Sequence, residues 1–152
     1  MSEHFQSSLY GKLPPLSASA VRWMDSSSLE RLGQRLIDLA WAAGLIDGEG
    51  CIMIRGSVAV DVQSTSRHLI QRLHDILGGR CSVESRRTRQ NRAVFRWRIY
   101  GQEAVAALDH LLPFLVEKKK QAQLACCYYS YLPGSAMRES IKKRIKQLKK
   151  TS

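Results

Sequence analysis

The chain has 152 residues, a hydrophobic fraction of 44% and a formal net charge of +11 at pH 7, with a pI of about 9.9. This length suits a single domain that buries its own core, and the hydrophobic fraction excludes a largely disordered chain. We find neither a signal peptide nor an apolar run of about 20 residues, so we expect a soluble, intracellular protein with no membrane partner. The positive charge favours a polyanionic partner, and nucleic acid is favoured over an anionic membrane surface.

The chain is predicted to begin with an arm and to continue as one domain. Residues 1–27 show no sustained hydrophobic period and contain two adjacent prolines, so we interpret them as an N-terminal arm. The remaining residues, 28–152, are predicted to form a single domain. Its first helix is predicted to start at an N-cap, Ser28, and to end in the glycine-rich segment 44–50.

Hydrophobic periodicity predicts four strands and further helices after this segment. Alternation of apolar and polar residues predicts strands over 51–55, 58–62, 80–87 and 93–100. Helical spacing predicts a helix capped by Ser66 and ended by Gly78, and helices over 102–115, 118–131 and 135–150. Pro113 is expected to bend or break the first of these last three helices. The order of elements therefore predicts an α+β fold with a four-stranded sheet.

The four cysteines do not form a recognisable metal site. Cys51, Cys81, Cys126 and Cys127 include no CxxC pair, and no histidine lies beside them at zinc-ligand spacing. We interpret all four as reduced thiols in or near the core.

The segment over residues 42–50 reads AAGLIDGEG and combines small residues with an acidic end. Ala40, Gly44 and Gly48 are each four positions apart, so they share one side of a helix and allow a second helix to approach closely. Glu49 follows at the helix tip, where two paired copies would bring two carboxylates together and require cations between them. The residues alone also fit an ordinary helix terminus in which Glu49 is a solvated side chain.

This segment resembles the LAGLIDADG signature of a homing endonuclease family. Residues 43–47 and Gly50 are identical to the signature, whereas Ala42, Gly48 and Glu49 replace other residues in it. The order of elements from about Ser28 to Leu132 is also similar. The resemblance implies an αββαββα fold with an antiparallel saddle sheet and extra C-terminal helices. It also implies a homodimeric endonuclease that cuts both strands of a long pseudo-palindromic DNA site with Mg²⁺. Mn²⁺ is then expected to substitute, and Ca²⁺ to bind without supporting cleavage.

The resemblance also implies roles for individual residues around the motif. Glu49 is implied as the essential metal ligand with Gly48 beside it, and Lys118 as the basic group that polarises the scissile phosphate. Lys120 is the second choice for that basic group, and the alternative is that these lysines form a solvated helix start or bind phosphate. Ser64 is favoured over Gln63 for orienting a catalytic water, with Gln63 facing the DNA groove. Asp47 is assigned to the turn rather than to the metal. The predicted dimer interface comprises Ala40, Ala43, Gly44, Asp47 and Gly48.

The fourth predicted strand has one apolar and one basic side. Phe95, Trp97 and Ile99 alternate with Arg96 and Arg98, so the arginines share one sheet face, which can enter a major groove. The predicted base contacts are Gln63, Arg80, Arg86, Arg96 and Arg98, and the predicted phosphate contacts at the hairpin tip are Arg87, Arg89 and Arg92. The predicted DNA-binding set also includes Arg55, Ser82, Glu84, Lys118 and Lys120. The alternative is a solvated sheet face.

Two questions remain open from the sequence. The basic C-terminal helix either adds phosphate contacts or is a solvated tail. The family also includes RNA-binding maturases that assist intron splicing, and intron RNA is therefore an alternative partner. The acidic Glu49, which an RNA chaperone does not need, favours the nuclease over the maturase and over a catalytically silent DNA-binding repressor.

Overall fold

The structure, a computed structural model, describes residues 24–87 and 92–150, and it describes the backbone but not the side chains of residues 85–87. The predicted arm over residues 1–27 lies almost entirely outside this range, so its boundary stays a prediction. By packing, the described residues separate after Arg35 into two units, 24–35 and 36–150.

Helix α1 covers Ser26–Glu49 and carries the whole glycine-containing motif. It begins earlier than predicted, because the Asp25 carboxylate accepts a hydrogen bond from the Ser28 amide at 2.7 Å and so caps the first turn. The prediction of Ser28 as the N-cap is therefore wrong. The helix also runs through Gly44 and Gly48, because the residues around them are held by the core. Its buried residues are Leu39, Ala42, Ala43 and Ile46.

The chain turns directly from α1 into strand β1, Gly50–Arg55. A Cβ atom on Gly50 would lie 2.6 Å from the Ile46 carbonyl oxygen, so this tight junction requires glycine. The junction fixes the end of the motif helix against the sheet.

The sheet has four antiparallel strands in the order β1-β2-β4-β3. The other strands are β2, Ser57–Ser64, β3, Arg80–Arg87, and β4, Ala93–Tyr100. The bounds of β3 and β4 match the prediction, whereas β2 begins one residue earlier and ends two residues later than predicted. Arg98 of β4 is in register with Asp61 of β2 and with Arg80 of β3, and Arg96 is in register with Gln63 and Ser82. Directly paired residues share a sheet face, so these residues form one surface, which we call the polar face.

The opposite face of the sheet forms the core. Trp97 is fully buried there, and its indole nitrogen donates to the Gly78 carbonyl oxygen at 2.7 Å. Val60, Val62 and Ile99 are buried beside it. The predicted alternation along β4 is therefore confirmed, and so is the α+β fold class with its four-stranded antiparallel sheet.

In the described part of the chain, four helices follow the first hairpin. They are α2, Arg67–Leu77, α3, Gly101–Leu111, α4, Lys119–Cys126, and α5, Ala136–Leu148, with a 3₁₀ turn at Tyr128–Ser130. Ser66 caps α2 as predicted, since its hydroxyl accepts from the Leu69 amide at 3.5 Å. Helix α3 ends before Pro113, also as predicted. Helix α4 is shorter than predicted, because the chain tightens into the 3₁₀ turn after Cys127. Within residues 24–87 and 92–150, no helix is long and apolar enough to cross a membrane.

Candidate functional site

An open cavity of about 480 Å³ lies at the C-terminal end of α1. Glu49, Gln63, Ser64 and Thr65 form its polar wall, and its apolar lining residues are Leu45, Leu69 and Val94. The structure thus brings three of the four predicted catalytic residues, Glu49, Gln63 and Ser64, to one cavity. The sequence indicated this grouping because Glu49 lies at the end of a predicted helix, and Gln63 and Ser64 lie at the end of a predicted strand.

The donors in this cavity suit a hard cation. The polar wall offers a carboxylate, an amide and two hydroxyls, which are the oxygen ligands that Mg²⁺ prefers. Glu49 is exposed at the last position of α1, where the helix dipole also favours a cation. In the part of the chain that the structure describes, no group of three or more acidic, histidine or cysteine side chains could hold a metal ion. One chain therefore offers the carboxylate of Glu49 together with neutral oxygens.

Lys118 is held at the same end of α1 by Asp47. The Asp47 carboxylate accepts hydrogen bonds from the Val116 amide at 2.7 Å and the Lys118 amide at 2.9 Å. The Lys118 ammonium in turn donates to the Asp47 carbonyl oxygen. Asp47 lies inside α1 and its partners come about 70 positions later, so its assignment to a local turn is wrong. The carboxylate instead binds amides that precede α4 and lack partners within that helix.

Ser64 and Gln63 keep hydrogen-bonding capacity toward the cavity. The Ser64 hydroxyl accepts from the Ser66 amide at 3.0 Å, and this leaves its own proton to donate. The Gln63 amide is assigned with its oxygen toward Arg96, where it accepts from Nη2 of the guanidinium, and this leaves its NH₂ group as a donor. Both residues can therefore donate hydrogen bonds to a water or a phosphate oxygen.

One side of α1 presents small residues without a partner in the described chain. Ala40, Gly44 and Gly48 are exposed, and Ile37 on the same side has 60% of its surface exposed. A Cβ atom on Gly44 or Gly48 would meet no described atom within 4 Å apart from the backbone of its own helix. Ala43, by contrast, is fully buried in its own chain. Its assignment to a dimer interface is therefore wrong, because it lies about 100° around the helix from Gly44.

The centre of the polar face is a network of ion pairs. Asp61 is only 5% exposed, and its two oxygens accept from Arg96 Nε at 3.0 Å and from Arg98 Nε at 2.7 Å. Arg98 Nη2 also donates to Asp61. At the rim, Arg96 Nη1 contacts the Glu84 carboxylate at 2.5 Å, and Arg98 Nη1 donates to the Tyr100 hydroxyl at 2.8 Å. The sequence placed Arg96 and Arg98 on one face but did not reveal that Asp61 joins them.

For the other predicted DNA-binding residues, the structure gives mainly their exposure. Arg80 and Ser82 are exposed on the polar face of β3, the edge strand. Arg86 and Arg87 belong to β3, but their side chains lie outside the described residues, as does all of Arg89. The remaining exposed members of the predicted set are Arg55, Arg92 and Lys120.

Helix α5 is anchored to the body of the protein. Ile141 and Ile145 are buried, and the Arg138 guanidinium lies 4.5 Å from the Tyr128 ring centroid. Lys149 donates to the Cys51 thiol at 3.0 Å, which ties the end of the helix to β1. A groove of about 400 Å³ lies between α5 and β1, and we call it the basic groove. Its charged lining residues are Arg55, Lys142, Lys143, Lys146 and Lys149.

All four cysteines are free thiols. Cys51 and Cys126 are partly buried, whereas Cys81 and Cys127 are exposed. The expectation that all four lie in or near the core is therefore wrong for Cys81, on the edge strand β3, and for Cys127, just past the end of α4. Burial, followed by the nearby Asp109 carboxylate, raises the pKa of Cys126 to about 12, so this thiol is protonated at neutral pH.

Comparison with known proteins gives matches among solved structures. No protein-family model matches the sequence, and no curated protein matches it. The homing endonuclease I-CvuI, bound to its target in the presence of 2 mM Ca, is similar with a TM-score of 0.61 and 22% identity over 76% of this chain and 83% of that chain. A second I-CvuI structure holds the I-CreI target with 2 mM Mg and uncleaved DNA. Its TM-score is 0.58, with 23% identity over 76% and 83% of the two chains.

An archaeal intron-encoded homing endonuclease, I-Vdi141I in complex with DNA, is similar with a TM-score of 0.58. Its identity is 14%, over 74% of this chain and 84% of that chain. These likenesses show that the chain has the fold of the homing endonucleases.

Proposed function

We propose that this chain is a LAGLIDADG homing endonuclease that makes Mg²⁺-dependent double-strand breaks at a long, pseudo-palindromic DNA site. The observation that carries the proposal is the cavity at the end of α1, which gathers Glu49, Gln63 and Ser64 while Asp47 holds Lys118 at the same helix end. The fold shared with DNA-bound homing endonucleases supports it.

Each residue at this end of α1 then has a chemical task. Glu49 and the main-chain carbonyl of Gly48 would hold Mg²⁺, which when bound supplies positive charge at the scissile phosphate. Mn²⁺ is expected to substitute, and Ca²⁺ to support binding without cleavage. Lys118 provides a cation for the developing phosphate charge, and Asp47 positions it. Ser64 and Gln63 hold a water through their remaining donors.

We further propose that two copies pair through the exposed side of α1. Glycine inside a helix costs about 1 kcal/mol relative to alanine. The described part of this chain has room for a Cβ at both Gly44 and Gly48, so nothing there requires glycine. A second α1 packed against Ala40, Gly44 and Gly48 would require it. Such a homodimer brings two Glu49 carboxylates together and matches a two-fold DNA target.

The proposal predicts that Glu49→Gln separates binding from cleavage. The substitution keeps the shape of the side chain but removes the charge that would hold the metal ion. We expect duplex binding in Ca²⁺ to stay within a few-fold of the wild type, and cleavage in Mg²⁺ to disappear. The target is first found by incubating the wild type with a randomised duplex library and Mg²⁺ and sequencing the cut ends.

Glu103→Gln, on the exposed side of α3, is the matched control and should cleave normally. Near-normal cleavage by Glu49→Gln would contradict the assignment of the metal site. No cleavage of any duplex by the wild type, with tight binding to a structured intron RNA, would instead favour the maturase. The basic groove keeps that alternative open, because its lysines can bind the phosphates of either nucleic acid.

A further inference from the structure

The ion-pair network on the polar face lies on the two central strands of the sheet. Asp61 is on β2, Arg96 and Arg98 are on β4, and the order β1-β2-β4-β3 places these strands in the middle. The Asp61 carboxylate is 5% exposed, and burying a charged carboxylate lowers the stability of the fold unless the charge is paired. Asp61 meets this requirement by accepting from both arginines at once. It therefore fixes two neighbouring guanidinium groups relative to each other.

The network is electrically neutral as a group. The two positive charges of Arg96 and Arg98 are balanced by the negative charges of Asp61 and Glu84, which they contact directly. A neutral cluster adds little to the long-range attraction of a phosphate backbone, which depends on net charge. What it offers to DNA is a set of hydrogen-bond donors in fixed directions.

Counting donors shows what remains for a ligand. An arginine has five N–H donors. Arg98 uses Nε and one proton each of Nη1 and Nη2 for Asp61 and Tyr100. Arg96 uses Nε and one proton each of Nη1 and Nη2 for Asp61, Glu84 and Gln63. Among the described residues, each guanidinium therefore keeps one proton on each terminal nitrogen without a partner, and two such donors can bind O6 and N7 of guanine in a major groove.

We infer that Asp61 is a positioning residue that fixes Arg96 and Arg98 as a rigid pair of base-reading side chains selective for guanine. The inference rests on the proposed function, because its ligand is the duplex target. Residues two apart on a strand are about 6.8 Å apart, and base pairs are about 3.4 Å apart along the helix axis. The two arginines therefore read guanines about two base pairs apart in each half-site.

The test measures sequence preference by binding alone. The wild type and Asp61→Asn are each allowed to select duplexes from a randomised library in Ca²⁺, and the bound fraction is sequenced. Lysine substitutions of Arg96 and Arg98 assign the position that each arginine reads. We expect Asp61→Asn to lose roughly fivefold or more of the guanine preference at both positions, since a bidentate contact is worth about that factor or more.

We expect Asp61→Asn to lower the preference for guanine without weakening the binding of non-target duplex. Asp61→Asn adds one net positive charge, so binding to non-target duplex should stay equal or become tighter while guanine preference falls. A purely structural role would weaken binding to target and non-target duplexes alike. Such a uniform loss, or an unchanged preference at both positions, would overturn the inference while leaving the proposed nuclease intact.

Two rim variants provide matched controls and a second route if Asp61→Asn does not fold. Glu84→Gln removes a contact of Arg96 alone, and Tyr100→Phe removes a contact of Arg98 alone. Each should relax one guanine position and leave the other unchanged. The network would be contradicted if either variant lowered the guanine preference at both positions. It would also be contradicted if the two variants left both preferences unchanged. A wild type that selects no duplex would overturn both the inference and the proposed function.

Discussion

Asp47 shows how one side chain assembles the candidate site. The motif identifies an acid at this position, but its partners, Val116 and Lys118, come about 70 positions later. The partners of Asp61 could not be identified from the sequence either, because its pairing with Arg96 and Arg98 depends on strand register. The position of Glu49 at the end of α1 could be predicted, because it belongs to a local motif. The contacts of Asp47 and Asp61 could not, because tertiary structure creates them.

At this scale we predict that Asp47→Asn slows cleavage without preventing binding. Asparagine offers one acceptor oxygen where the carboxylate offers two, so one of the amides of Val116 and Lys118 loses its partner. A small displacement of a catalytic group can cost roughly 100-fold in rate, so we expect a 10- to 100-fold lower kcat with a DNA affinity within a few-fold of the wild type. Single-turnover cleavage and a binding titration in Ca²⁺ measure the two quantities.

The control is Asp75→Asn on the exposed side of α2, which makes the same substitution at a position far from Lys118 in the sequence. Equal cleavage rates for Asp47→Asn and the wild type would show that Lys118 needs no support from Asp47. A proportional loss of thermal stability and binding would show that Asp47 acts on folding alone.

Among the elements, the two strands of the second hairpin were predicted to the residue, whereas α1 was not. Alternation of apolar and polar residues fixes β4 because its two faces meet different environments. The glycines predicted that α1 would end near residue 44. Burial of Ala42, Ala43 and Ile46 instead stabilises the helix through Gly44 and Gly48. Tertiary packing thus overrode local propensity at the motif.

For this element we predict that Gly44→Leu breaks the dimer but not the fold. The position has space in the described chain, and leucine favours a helix more than glycine by roughly 0.8 kcal/mol. The isolated subunit should therefore be as stable as the wild type or slightly more stable, while two copies of α1 can no longer approach. Sedimentation should show a monomer, and cleavage should be lost.

Gln102→Leu places the same side chain on an exposed position of α3 and should leave the dimer intact. A Gly44→Leu protein that sediments as a wild-type dimer would place the interface elsewhere. Strong destabilisation of both variants would instead show that exposed leucine is poorly tolerated on any helix of this chain.

Across the whole molecule, the net charge of +11 indicated nucleic acid but not how the charge is arranged. The structure separates two kinds of surface. The network of Asp61, Glu84, Arg96 and Arg98 is neutral, whereas the basic groove carries lysines on α5. Base contacts specify a sequence and phosphate contacts supply salt-dependent affinity. Under the proposed function, we therefore assign the first task to the polar face and the second to the basic groove.

The final prediction concerns this division and uses the double variant Lys143→Ala/Lys146→Ala. Both lysines line the basic groove and are exposed. If each neutralises one phosphate, the slope of log binding constant against log salt should become less steep by roughly 2, because each phosphate contact contributes about 0.9. Affinity should fall for every duplex sequence by the same factor, and the selected target should not change. Arg144→Ala removes a charge from the same helix outside the groove and should leave the slope unaltered. An unchanged slope in the double variant would assign α5 to structure alone. An equal change per charge in Arg144→Ala would assign the phosphate contacts to the charge of the whole helix rather than to the basic groove.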